Sequence, residues 1–184
     1  MRPPTAAAAL LLALAPAALA TEAAEAHYVA RVAGFRVMTI DVHAAIGPET
    51  YRITARARSA GLATLATRFD QTATAEGAVT DSEIRPFRFR AEGAWQGETR
   101  RVDLVLAETP PRIALDPPEV PEREPVPVTL AQGGVDTLTA LLAVSRQVAR
   151  RGAEGCDLEV TGFDGRRLKR ITHAPAGAGS GPGQ

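Results

Sequence analysis

The residues of this chain that could do chemistry are few and widely spaced. His27, His43 and His173 are the only histidines and Cys156 the only cysteine. Neither a His-Glu-x-x-His helix nor a second cysteine is present, so a metal site would need ligands gathered from distant segments, and none is expected. No Gly-x-Ser-x-Gly elbow and no glycine-rich strand-to-helix loop offers a nucleophile or a phosphate cradle. Cys156 could act as a nucleophile if His173 met it across a hairpin and took its proton, which would make a hydrolase. Its ordinary place is a buried structural thiol, and pairing between two subunits is a third use. Asp164 could pair with Asp157 or Glu159 as two carboxylates, but each of these has a simpler use as a turn or strand residue. The reading is therefore a protein without a catalytic set and without a cofactor.

Arginine is the one functional group present in quantity. Lys169 is the only lysine among the basic residues, and a planar guanidinium suits bidentate contact with carboxylate or phosphate. Arg88 and Arg90, Arg100 and Arg101, then Arg166, Arg167, Lys169 and Arg170 lie on segments that could converge beside Phe87 and Phe89. Such a basic rim next to an apolar wall would suit an amphiphile with an acidic head. The plainer use of the same arginines, and the expected one, is pairing with acidic residues of a proline-rich crossing and with cross-strand neighbours.

The elements that must position these residues read mostly as strands. Tyr51, Ile53, Ala55 and Ala57 alternate with Arg52, Thr54, Arg56 and Arg58, the signature of a strand with one buried face. A short strand over 27–33 is split by Gly34 from a longer one over 35–45, which is predicted to be largely covered on both faces. The segment 62–75 fits either a bent strand or a strand preceded by a helical turn. Phe87, Phe89 and Ala91 alternate with Arg88 and Arg90, and a turn over 93–97 leads to 98–106, where Val102, Leu104 and Leu106 share a face. That is a hairpin of two amphipathic strands.

Pro110, Pro111, Pro117, Pro118, Pro121, Pro125 and Pro127 then mark an extended crossing, interleaved with Asp116, Glu119, Glu122 and Glu124. It has room for one short strand at 113–115, since proline cannot donate to a ladder. One helix follows. Asp136 is its N-cap, Leu138, Leu141, Leu142, Ser145 and Val148 form its buried stripe, and Gly152 closes it after Arg150 and Arg151. A last hairpin, 156–163 and 166–172, turns through Asp164-Gly165 with the two positive-φ residues of a type I′ turn. The expected fold is mainly β: a curved antiparallel sheet or partly open barrel packed on one main helix at about 136–151.

Composition sets the context. The 184 residues carry 21 basic and 21 acidic side chains. With that balance no global field recruits nucleic acid or anionic lipid. Arg2, the Ala/Leu run over 6–15, Pro16 and Ala18-Leu19-Ala20 read as an export signal cleaved near Ala20, too short for a membrane span. The domain organisation expected is a signal over 1–20, one β-rich domain over 21–174, and a disordered glycine-rich tail over 175–184. The mature chain, free of any transmembrane segment, is expected in the periplasm or secreted, with stability resting on its core because one cysteine cannot form an internal disulfide.

The Asp-x-Leu-Thr-Ala-Leu-Leu helix start at Asp136 to Leu142, the following cysteine, and Phe-Asp-Gly-Arg-Arg at Phe163 to Arg167 carry a resemblance. With Tyr28 and Gly34 in compatible early strands, the chain resembles the exported bacterial proteins of domain-of-unknown-function family 3108. The resemblance implies a β-rich exported domain of Gram-negative bacteria of unassigned activity, similar in shape to envelope carriers that wrap a sheet around a helix. Three functions follow from the sequence: a binding or carrier module for an amphiphile, a structural or interaction module docking an envelope protein, and a cysteine-dependent hydrolase.

Overall fold

The computed structural model describes residues 21–118 and 135–173. The expected signal, most of the acidic crossing beyond Pro118 and the glycine-rich tail lie outside the described residues.

Seven strands form one antiparallel sheet in chain order: β1 (Glu22–Val32), β2 (Phe35–Ile46), β3 (Thr50–Ser59), β4 (Phe69–Val79), β5 (Ile84–Trp95), β6 (Glu98–Val105) and β7 (Arg112–Asp116). The sheet is not closed, since β1 and β7 do not pair. A helical turn, α1 (Ala63–Ala66), joins β3 to β4, so the ambiguous segment is a helical turn followed by a strand. After the crossing come the main helix α2 (Thr137–Arg151), a 3-10 turn (Gly152–Cys156), and a separate hairpin of β8 (Leu158–Phe163) and β9 (Leu168–His173).

The inner face of the sheet is the apolar set of the β3 alternation, extended by cross-strand register. Ile53 faces Ala75, Ala75 faces Phe89, Phe89 faces Leu104 and Leu104 faces Ile113. Leu138 and Leu142 of α2 and Phe163 of β8 pack onto this face and complete the core, with Phe163 only 2 % exposed. Burial of such side chains contributes about 1.5–3 kcal/mol each.

The covering layer spans the middle of the sheet, and this corrects the expectation for β2. Every residue of β1 and β2 is exposed or half-buried, because α2 lies against β3, β4 and β5, and β2 reaches the core only through the half-buried Ile40, Val42, Ala44 and Ile46. The helix also departs from its predicted stripe. Leu138 and Leu142 are buried, but Leu141 is 40 % exposed and Ser145 is solvated, while Ala140 and Val144 are buried instead. The 3-10 turn and β8 also pack on α2.

Both caps of α2 form as the sequence predicts. Asp136 Oδ1 accepts from the backbone N–H of Leu138 and Thr139 at 3.0 and 2.9 Å, and Gly152, at φ +63°, donates its N–H to the Val148 carbonyl. The last turn differs. Asp164 does not adopt positive φ; its Oδ1 accepts from the N–H groups of Arg166 and Arg167 at 2.9 and 2.8 Å, so the loop spans four residues with Gly165 alone at φ +90°. A β-carbon on Gly165 would lie 2.4 Å from Val102 Cγ1, so the turn is driven into the sheet at a point where only hydrogen fits.

The outer face carries the polar set and is laced by ion pairs. Arg56 chelates Asp70 at 2.9 and 2.7 Å, Arg58 reaches Asp41 at 2.9 Å, Arg52 pairs with Glu76, and Arg101 bridges Glu92 and Asp116 at 3.0 Å each. His27 Nδ1 lies 2.6 Å from Asp41 and His43 Nδ1 lies 3.1 Å from Glu25 across the β1–β2 pair.

Candidate functional site

Alternation sends adjacent arginines of β6 to opposite faces. Arg101 joins the outer ladder, whereas Arg100, in phase with Val102 and Leu104, points to the inner side. There it borders a cavity of about 490 Å³ between the lower half of the sheet and the β8–β9 turn. Phe69, Ala73, Phe89, Val102 and Trp95 form its apolar walls, and Arg100, Arg166 and Arg167 stand on its rim with Asp164.

Each wall residue is fixed by its own strand. Phe69 and Trp95 are register partners at the end of β4 and β5, with their rings edge-to-face at 5.5 Å between centroids. The Arg100 guanidinium lies 5.9 Å from the Trp95 ring centroid, a cation–π contact that holds it over the opening. Arg100 Nε is buried and has no hydrogen-bond partner among the described residues, and its Nη2 lies 3.5 Å from Glu98 Oε2. Arg166 Nη2 donates to the Pro117 carbonyl at 2.7 Å. Asp164 is engaged in capping its own turn, so the rim carries more positive charge than negative.

Of the residues singled out from the sequence, the structure brings Phe89, Arg100, Arg166 and Arg167 around one cavity. Arg88 and Arg90 are on the outer face, where Arg88 chelates Asp103 at 2.8 and 2.6 Å and Arg90 lies 3.9 Å from the same carboxylate. Phe87 falls at a bulge: Gly77 faces Pro86 while Glu76 faces Arg88, so Phe87 is the extra residue, 40 % exposed and out of the Phe89 series. The side chains of Cys156, Lys169, Arg170 and His173 lie outside the described residues. Sequence reasoning missed Trp95, Phe69 and Gln71. Trp95 had a usable signal, being the only tryptophan and in phase with Phe89 and Ala91.

A buried polar chain, outside the cavity's lining, joins the start of α2 to β3. Thr139 Oγ1 donates to Asp136 Oδ2 at 2.5 Å and stands 2.6 Å from the Tyr51 hydroxyl. Burial pushes the Asp136 carboxyl above its ordinary range, against the lowering effect of its hydrogen bonds, and burial likewise raises the Tyr51 phenol. Among the described residues no group of three or more His, Cys, Asp or Glu is placed to hold a metal ion, and no helix is long and apolar enough to cross a membrane.

These features define an open antiparallel meander covered on one face by a helix and a hairpin, with an arginine-rimmed cavity between them. The chain belongs to DUF3108, a protein family of unknown function, whose model matches residues 25–174. No curated protein and no solved structure matches the chain.

Proposed function

We propose that this protein is a non-enzymatic binding module of the cell envelope, reached by export, that takes up an amphiphile with an anionic head. The observation that carries the reading is the cavity of about 490 Å³, whose aromatic and aliphatic walls end at Arg100, Arg166 and Arg167. Its size falls within the roughly 300–1,000 Å³ of small-molecule sites. An acidic head would receive the buried Arg100 N–H and meet the two guanidinium groups of the turn, while the apolar body lies against Phe89, Phe69 and Trp95.

The test is native mass spectrometry of the protein purified without detergent from its own envelope. A discrete added mass that extracts into organic solvent supports the reading and identifies the ligand class. A bare chain that also fails to bind laurate or lysophosphatidylglycerol, followed through Trp95 fluorescence, overturns it.

A further inference from the structure

The meander gives the sheet two unlike ends. One end holds the β2–β3, β4–β5 and β6–β7 connections, where Glu83 pairs with Arg85, Glu108 pairs with Arg112, and Arg150 of α2 donates to the Asp81 carbonyl, so acidic and basic groups are matched there. The other holds the β1–β2 turn, the α1 connection and the β5–β6 turn. Here the charged residues are Arg31, Arg36 and Arg68, with Asp70, which pairs with Arg56, and Glu98 beside the last turn. All three arginines are exposed, and none makes an ion pair among the described residues.

The same basic end presents apolar side chains to solvent. Val32 and Phe35 flank the first turn at 64 % and 61 % exposure, and Leu62 and Leu65 project from the α1 connection at 64 % and 85 %. The two groups are adjacent, because Ala60 N–H donates to the Val37 carbonyl and Gly61 closes on the Arg36 carbonyl. Apolar tips interleaved with unpaired arginines match the boundary of an anionic bilayer, with hydrocarbon below and phosphate at the level of the guanidinium groups.

We infer that this end of the sheet docks on an anionic phospholipid surface, Val32, Phe35, Leu62 and Leu65 entering the headgroup region and Arg31, Arg36 and Arg68 contacting lipid phosphates. The inference goes beyond the cavity's role and stands whether or not the cavity holds a ligand.

The experiment is co-sedimentation of the full chain with vesicles of 3:7 phosphatidylglycerol to phosphatidylcholine and with phosphatidylcholine alone, combined with quenching of Trp95 by bromine-labelled lipid. Trp95 ends β5 at the proposed docking end but also walls the cavity, so its quenching is compared with that in the Leu62→Glu, Leu65→Glu variant, whose cavity residues are unchanged, and only the part lost in the variant counts as docking. Expected are preferential binding to the anionic vesicles, quenching of Trp95, and loss of at least tenfold in partitioning for the Leu62→Glu, Leu65→Glu double variant. Replacing Arg31, Arg36 and Arg68 by Gln is expected to weaken binding about a hundredfold at low salt. Thermal melting of each variant checks that its fold is intact, and Leu65→Ser alone serves as a milder second variant. Binding without Trp95 quenching, equal binding by folded variants, or no preference for the anionic vesicles overturns the inference.

Discussion

The Tyr51 hydroxyl on β3 stands 2.6 Å from Thr139 Oγ1 in the first turn of α2, joining residues 88 apart in sequence. The Thr139 hydroxyl donates to Asp136, and Asp136 accepts from the first amides of the helix, so one chain of hydrogen bonds seats the helix start on the sheet. Removing the phenol alone leaves the Thr139 to Asp136 bond in place. Tyr51→Phe is therefore expected to cost about 1 kcal/mol, and Thr139→Val about 1–3 kcal/mol because it strands two buried oxygens. Urea unfolding of both variants checks the order.

Gly165 combines positive φ with a contact that admits no β-carbon. Gly165→Ala must push the turn away from Val102 and Leu104, with an expected cost of about 1–3 kcal/mol. Faster hydrogen exchange in β8 and β9, with the seven-stranded sheet unchanged, is the pattern that checks it.

Arg100 is expected to govern ligand affinity through its unpaired Nε. Hydrogen bonds to charged groups contribute about 1.5–3 kcal/mol, so Arg100→Gln should weaken laurate binding by roughly tenfold to a hundredfold. Arg88→Gln, on the outer face, should leave affinity unchanged. Titration followed by Trp95 fluorescence separates the two.

The outer ladder makes stability fall in acid. The Arg88 guanidinium holds the Asp103 carboxyl below its ordinary 3.8, Arg56 does the same for Asp70, and His27 leads the lowering of Asp41. A lowered folded-state value means that this stabilisation is complete above the unfolded value and is lost as pH falls through the folded one. Melting temperature is thus expected to drop from about pH 4 downward, with a shallower drop in Asp103→Asn. Asp136 has the opposite sign, since burial raises it and protonation favours its folded state. Melting curves between pH 2 and 6 check the slope, and 1 M salt should flatten it.

Much of the fold was legible because it depends on short-range rules. The β3 alternation, the Asp136 and Gly152 caps and the single strand allowed between prolines each follow from local pattern, and each is present. The departures arise where a distant element decides. No residue of β1 or β2 is fully buried because the covering layer is narrower than the sheet, and the helix buries Val144 where the simple stripe put Ser145. The site was half legible. Phe89, Arg100, Arg166 and Arg167 carried a signal in type and phase, whereas Phe87 was displaced by a bulge that no residue before Pro86 announces, and Phe69 and Trp95 meet only through register.

Each strand of the large sheet pairs only with the strands next to it along the chain. Loops that close are therefore short, the entropy lost in closing each is small, and the sheet can grow one hairpin at a time from any starting pair. Helix α2 and the β8–β9 hairpin, which follow the long crossing, have no such local route and must find the finished sheet. The cavity is thus the last part of the molecule to exist, and until its covering hairpin arrives, the wall formed by Phe89 and Val102 lies open to whatever apolar molecule is at hand.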